Sequence, residues 1–311
     1  MNDTNLSILL LLSFALLAAE KTEAEMCSQY EDEDHTELFH KYRPRYPKKI
    51  FEIIDRKLTE STDRLPNELR EKYKKNDNGR WREALDIGCG TGISTLMLVD
   101  FVQESFGIDS SKTQIFKAKV VSYGMKDPSR VTYLNEDALM ISQMFSENSI
   151  DLIVSGQAVH WLADRAKFYE ACMKVLRPGG LLALYGYRTH EFEDENAEKI
   201  KQEFCPGMTK DFEPKEVKHL DNSYKDIFEE LKTLYPNAER DDSFTDHLES
   251  TIDHYAGYLS SWCAYRNYKK VHPGHPDILD DVRDKLKEIF PGDTLVKTTA
   301  KYFILFVTKE V

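Results

Sequence analysis

The sequence is poor in the features that mark several common protein classes. Its five cysteines, Cys27, Cys89, Cys172, Cys205 and Cys263, are scattered, odd in number and form no Cys-x-x-Cys pair. A disulfide scaffold and a structural zinc site are therefore both disfavoured, and no metal ligands are nominated. Positive charge is also short: 42 Lys and Arg against 54 Asp and Glu leave a net of -12. A general nucleic-acid binder needs a basic face to displace phosphate counterions, so that class is set aside. No internal repeat or low-complexity tract appears. The only Asn-x-Ser/Thr sites are Asn2 and Asn5, which disfavours heavy glycosylation of a mature chain.

One long apolar run is present. Ile8 to Ala19 is interrupted only by Ser13. At twelve residues it falls short of the ~20 that a membrane span requires and suits a secretory signal, with Ala19 or Ala24 before a cleavage point. The preceding MNDTNLS lacks the usual Lys or Arg. The expectation is a leader over 1–24, a secretory location with a cytoplasmic alternative, and no stable membrane span in the mature chain. Residues 25–36 are acidic and expected to be flexible.

From Leu38 the chain turns to Tyr42-Arg43-Pro44-Arg45-Tyr46-Pro47, whose prolines favour an extended stretch and start a helix carrying Ile50, Phe51, Ile54 and Leu58. Short apolar strands then alternate with helices: Ala84–Ile87, Ser105–Ile108, Val131–Leu134, Ile150–Val154 and Leu181–Tyr185. That alternation predicts an α/β fold with a doubly wound, mostly parallel sheet over 37–190. Residues 191–291 read as a mostly helical lid insertion, with a strand near Asn237–Thr245. Residues 292–311 supply a last strand, for about seven in all.

The strongest local signal is Asp86-Ile87-Gly88-Cys89-Gly90-Thr91-Gly92. Its glycines let the chain bend sharply and let a ligand approach backbone amides. The Gly-Lys-Ser/Thr ending of a phosphate loop is absent, and the third glycine comes too early for a dinucleotide fingerprint. Asp109, Asp137 and Gln157 follow successive strands, at the sheet edge where open α/β folds bind ligands.

A Gly-x-Gly-x-Gly turn after an acid-ended strand resembles the first motif of class I S-adenosylmethionine-dependent methyltransferases. Ala158-Val159-His160-Trp161, Leu176-Arg177-Pro178-Gly179-Gly180, Tyr185-Gly186-Tyr187 and Tyr258-Leu259-Ser260-Ser261-Trp262-Cys263-Ala264-Tyr265 extend the resemblance to the trans-aconitate methyltransferase-like branch, over roughly 37–309. The resemblance implies S-adenosylmethionine as cofactor, held by Tyr42, Asp86, Gly88, Gly90, Gly92, Asp109, Asp137 and Gln157. It implies O-methylation of a small carboxylic acid; separately, a monomer is expected.

Substrate candidates are Arg43, Arg45, His160, Trp161, Tyr187, Trp262 and Tyr265. An ionised carboxylate needs no general base, so only His160 is a candidate catalytic group, for a hydroxyl acceptor. Hydroxyl, carbon and terpenoid-acid acceptors stay open, as does a secreted binding protein without turnover.

Overall fold

In the computed structural model, residues 30–292 and 294–311 are described. The apolar leader and its cleavage points lie outside them.

Five strands form a parallel block: β1 (Trp81–Ile87), β2 (Val102–Asp109), β3 (Val131–Asn135), β4 (Ile150–Gly156) and β5 (Leu176–Tyr187), in the order β3-β2-β1-β4-β5. The sequence winds outward from β1 to β3 and then returns to β4. The strand ends at β1 and β4 therefore open a crevice, the usual ligand position in such sheets.

The sheet is buried on both faces because successive side chains alternate sides. Leu152, Val154, Leu181 and Ala183 pack against the helix α2 (Lys48–Asp63), through its Ile50, Phe51, Ile54 and Leu58. Ile153, Leu182 and Leu184 face the opposite layer, where Phe168, Tyr169 and Cys172 come from the helix at Arg165–Val175.

The region 191–291 does more than cover the crevice. Among the described residues it carries three strands, β6 (Glu191–Phe192), β7 (Glu239–Asp241) and β8 (Thr245–Ser250). All three pair antiparallel with the C-terminal strand β9 (Val296–Thr308), which itself pairs with β5. β7 and β8 share one edge of β9, joined where Tyr302 N–H donates to Phe244 O, and β6 continues the line of β5. Nine strands thus fill seven positions. The strand expected near Asn237–Thr245 is present as β7 and the start of β8, but it joins the sheet instead of the lid: an exposed β9 edge would leave its amides unpaired, and β7 and β8 cover it. The helix at Lys225–Leu234 also packs Ile227 and Leu231 onto the sheet core rather than over the crevice. The lid proper is a separate aromatic core of Phe192, Phe204, Tyr255, Tyr258 and Trp262.

The acidic stretch expected to be flexible up to residue 36 is ordered from Tyr30. Asp32 caps α1 (Glu33–Tyr42) by accepting from His35 N–H at 2.8 Å, and pairs with Arg266 at 2.8 Å. The Glu31 carboxylate accepts from Lys112 N–H at 2.9 Å. Its acidity, from which flexibility was expected, is what docks it: carboxylates are favoured at helix N-termini.

Arg177 is fully buried. Nε donates to Asp151 Oδ1 at 2.7 Å, Nη2 to Thr62 Oγ1 and Nη1 to Pro178 O, with Tyr73 and Trp81 rings against the guanidinium. The Leu-Arg-Pro-Gly-Gly motif is thereby a structural tie between β4, β5 and α2.

Candidate active site

The turn after β1 is built by glycine. Gly88, Gly90 and Gly92 all have positive φ, at 66°, 55° and 82°. L side chains rarely adopt this conformation. Gly88 and Cys89 N–H donate to Ile108 O at 2.8 and 3.1 Å, tying the turn to β2. A side chain at Gly88 would strike Ala158 and one at Gly92 would strike the Tyr133 ring, whereas one at Gly90 would meet Gln114 Oε1 at 3.4 Å and the Phe39 ring at 4.0 Å, ordinary contact distances.

Above the turn lies a cavity of about 940 Å3. That is near the top of the ~300–1,000 Å3 range for small-molecule sites, enough for a nucleoside-sized ligand and a second reactant. Gly88, Gly90, Asp109, Asp137 and Gln157 line it, together with Arg43, Trp161, Tyr187, Tyr258 and Trp262.

Asp109 ends β2 with both oxygens oriented: Oδ2 accepts from Gly90 N–H at 2.8 Å and Oδ1 from Ser111 N–H at 2.9 Å. Burial lifts its pKa against these two bonds. Each oxygen keeps a second lone pair for a ligand hydroxyl. Asp137 is exposed and caps its own turn by accepting from Leu139 N–H at 2.8 Å. Gln157 sits at φ 52° and donates Nε2–H to Tyr187 O at 3.2 Å.

Two cations line the cavity, the half-buried Arg43 and the exposed Arg188. Arg43 Nε donates to Ser261 Oγ at 3.0 Å and Nη2 to Ser261 O at 3.3 Å, while the guanidinium lies over Phe39 and Tyr258. No acidic side chain forms an ion pair with it among the described residues. Burial opposes its charge, but the Tyr187, Tyr258 and Tyr30 hydroxyls outweigh that and raise its pKa.

A family model described as a methyltransferase domain matches residues 85–184. A Saccharomyces cerevisiae protein named as a probable S-adenosylmethionine-dependent methyltransferase is 25% identical over 250 residues, covering 72% of this chain and 82% of that protein. The chain is an S-adenosylmethionine-dependent methyltransferase. A protein named as a type II methyltransferase from Anaeromyxobacter dehalogenans has the same fold: TM-score 0.64 at 23% identity, covering 86% of this enzyme and 99% of that chain. Trans-aconitate 2-methyltransferase of Deinococcus radiodurans is 31% identical, but over 113 residues only, 36% of this enzyme and 40% of that one. With so little of either chain covered, that match does not separate the trans-aconitate branch from others.

Several candidates lie outside the methyltransferase's cavity wall. Tyr42 turns away at the end of α1, where its ring packs under Gly257 and 5.3 Å from His254. The aromatic that lines the cavity is Tyr46, four residues on, with Phe39 and Tyr30. Arg45 is exposed. Tyr265 donates its hydroxyl to Asp277 at 2.8 Å within the lid. Gly92 starts the next helix against Tyr133 and does not reach the cavity. Tyr30 carried no sequence signal, since a tyrosine in a charged segment has no periodicity to read.

His160 is in the wall, in a setting that disfavours a general base. Its Nδ1 lies 2.6 Å from the Tyr224 hydroxyl, and burial, with His219 and Arg165 nearby, lowers its pKa to about 3. A ring with so weak a conjugate acid cannot take a hydroxyl proton efficiently near neutral pH.

Asp86 lies beneath the turn rather than in the wall. Thr95 Oγ1 donates to its Oδ2 at 2.7 Å, and its Oδ1 has no partner among the described residues. Burial, reinforced by Asp109, raises its pKa to about 7. The folded enzyme therefore keeps this proton to higher pH than the unfolded chain, whose Asp titrates near ~3.9. The resulting stabilisation is full below about pH 4 and is lost as pH rises through about 7. Urea midpoints are expected to fall across that interval, and Asp86→Asn is expected to flatten the decline; an equal decline in the variant would reassign it.

Proposed function

We propose that this methyltransferase transfers a methyl group to a carboxylate oxygen of a small organic acid, anchored by Arg43. The single supporting observation is the setting of Arg43: a charged guanidinium in the cavity wall, lacking an acid partner among the described residues and set among the phenols of Tyr187 and Tyr258. A planar guanidinium suits a carboxylate through paired N–H donors. Trp262 adds a buried indole N–H beside the Tyr258 hydroxyl.

S-adenosylmethionine supplies a methyl group already activated on a sulfonium. What the chain must add is position. In this reading Gly88 and Gly90 let the nucleoside approach the turn, Asp109 accepts ribose hydroxyls through its free lone pairs, and Asp137 and Gln157 border the same ligand. Arg43 holds the acceptor carboxylate near the methyl carbon, and the lid excludes water that would solvate it. An ionised carboxylate requires no base, consistent with the neutral His160.

A second reading rests on Glu213, which also lines the cavity. Burial and the neighbouring Asp221, opposed by Lys210, raise its pKa to about 7. A group of that pKa is suited to take a proton from a hydroxyl acceptor.

The test is a screen of small acids and alcohols with labelled S-adenosylmethionine, read by product mass. Arg43→Ala is expected to weaken acid binding by about 10- to 100-fold, the loss of one or two charged hydrogen bonds, and to change cofactor affinity far less. Equal losses in both would give Arg43 a structural role. Turnover confined to alcohols, rising with a pKa near 7 that Glu213→Gln removes, would favour the second reading.

A further inference from the structure

We infer that the outer face of α3 (Lys112–Ser122) is a docking surface for an anionic lipid bilayer. This helix follows the cavity-lining Ser110 and Ser111. It buries Gln114, Ile115, Ala118 and Ser122 against the protein. Its other face carries Phe116, Val120 and, just past its end, Tyr123, which are 69%, 47% and 78% exposed. The spacing i, i+4, i+7 places all three on one stripe.

Within the segment itself the charge is of one sign, although Glu31 and Glu37 lie against its N-terminal turn and Lys117. Ser110 to Lys126 contains Lys112, Lys117, Lys119 and Lys126 and no Asp or Glu, in a chain whose net charge is -12. Lys117 is taken by Glu37 at 2.5 Å. Lys112, Lys119 and Lys126 are exposed and form no ion pair among the described residues.

Exposed aromatics interleaved with lysines fit the boundary of a bilayer. There rings enter the acyl region while lysine stems lie along it with their ammonium groups among the headgroups. A protein partner fits less well, because a stable interface covers about 800 Å2 per side and three side chains on one short helix are a narrow stripe. Docking here would set the cavity wall at Ser110 and Ser111 beside the membrane.

The experiment is sedimentation of the full chain with vesicles of 30% phosphatidylserine in phosphatidylcholine, against pure phosphatidylcholine. The wild type should bind the anionic vesicles more tightly and release them in high salt. Lys119→Gln with Lys126→Gln should weaken binding about 25-fold, from about fivefold per basic residue at a charged surface. Phe116→Ser with Tyr123→Ser should weaken it at least about tenfold through the lost apolar insertion. Circular dichroism and S-adenosylmethionine affinity should be unchanged in both variants, separating lost docking from misfolding or a failed cofactor site. Three results would overturn the inference: no binding to anionic vesicles, wild-type binding by both variants (which would place the contact elsewhere, as in the apolar run 8–19), or a self-association that the variants abolish.

Discussion

Gly90→Val is expected to lower S-adenosylmethionine affinity by about three orders of magnitude, ~4 kcal/mol, with helix content nearly unchanged. Gly90 lies in the cavity wall at φ 55°, and a Cβ built on it meets nothing closer than Gln114 Oε1 at 3.4 Å. The added side chain therefore enters the space where the ligand must approach the turn. Some fold stability is also lost, because a β-branched residue resists this conformation. Calorimetric titration beside a thermal melt separates the two effects. The informative control is Gly92→Ala, whose new methyl group meets the Tyr133 ring outside the cavity. It should depress the melting temperature more than the affinity. Unchanged affinity in Gly90→Val would displace the cofactor from this turn.

Arg177→Ala is expected to cost about 3–5 kcal/mol of fold stability, a large share of the ~5–15 kcal/mol typical of a whole domain. The arginine satisfies Asp151, Thr62 and the Pro178 carbonyl, all from a site with no access to water. Truncation leaves the buried Asp151 carboxylate with only the Arg82 and Glu83 amides, at 2.9 and 3.1 Å. A buried charge without its counter-ion is far more costly than a pair replaced by apolar groups. Arg177→Met combined with Asp151→Leu should consequently recover much of the loss. Urea unfolding measures both variants; a loss below about 1 kcal/mol for the single change, the value of an exposed pair, would show that water reaches the site.

Much of the fold was legible because its signals are local. The apolar runs at 150–154 and 181–185 are long enough for buried strands, and Ile50, Phe51, Ile54 and Leu58 have helical spacing. β7 and β8 were harder to read because their residues are polar and their stability comes from β9, some sixty residues downstream. The ordered segment at Tyr30–Thr36 was hidden for a similar reason. Its acidic composition resembles a solvated tail, and only the amides of Lys112 and Thr113 and the charge of Arg266 reveal its anchorage.

The candidate site divides along the same line. The glycine turn and the acidic residues after β2 and β3 are set by short-range chemistry: positive φ demands glycine, and strand ends fall where hydrophobic periodicity stops. The amino-acid order was therefore sufficient for the doubly wound sheet, the turn and the class of cofactor. It was insufficient for the acceptor side, where Tyr42 and Tyr46 or Arg43 and Arg45 are equivalent in type and close in spacing. Their separation into a packed ring and a cavity ring, or a half-buried cation and a solvated one, depends on how α1 is rotated against the lid. That rotation is fixed by contacts between segments more than two hundred residues apart, such as Arg43 with Ser261 and Asp32 with Arg266.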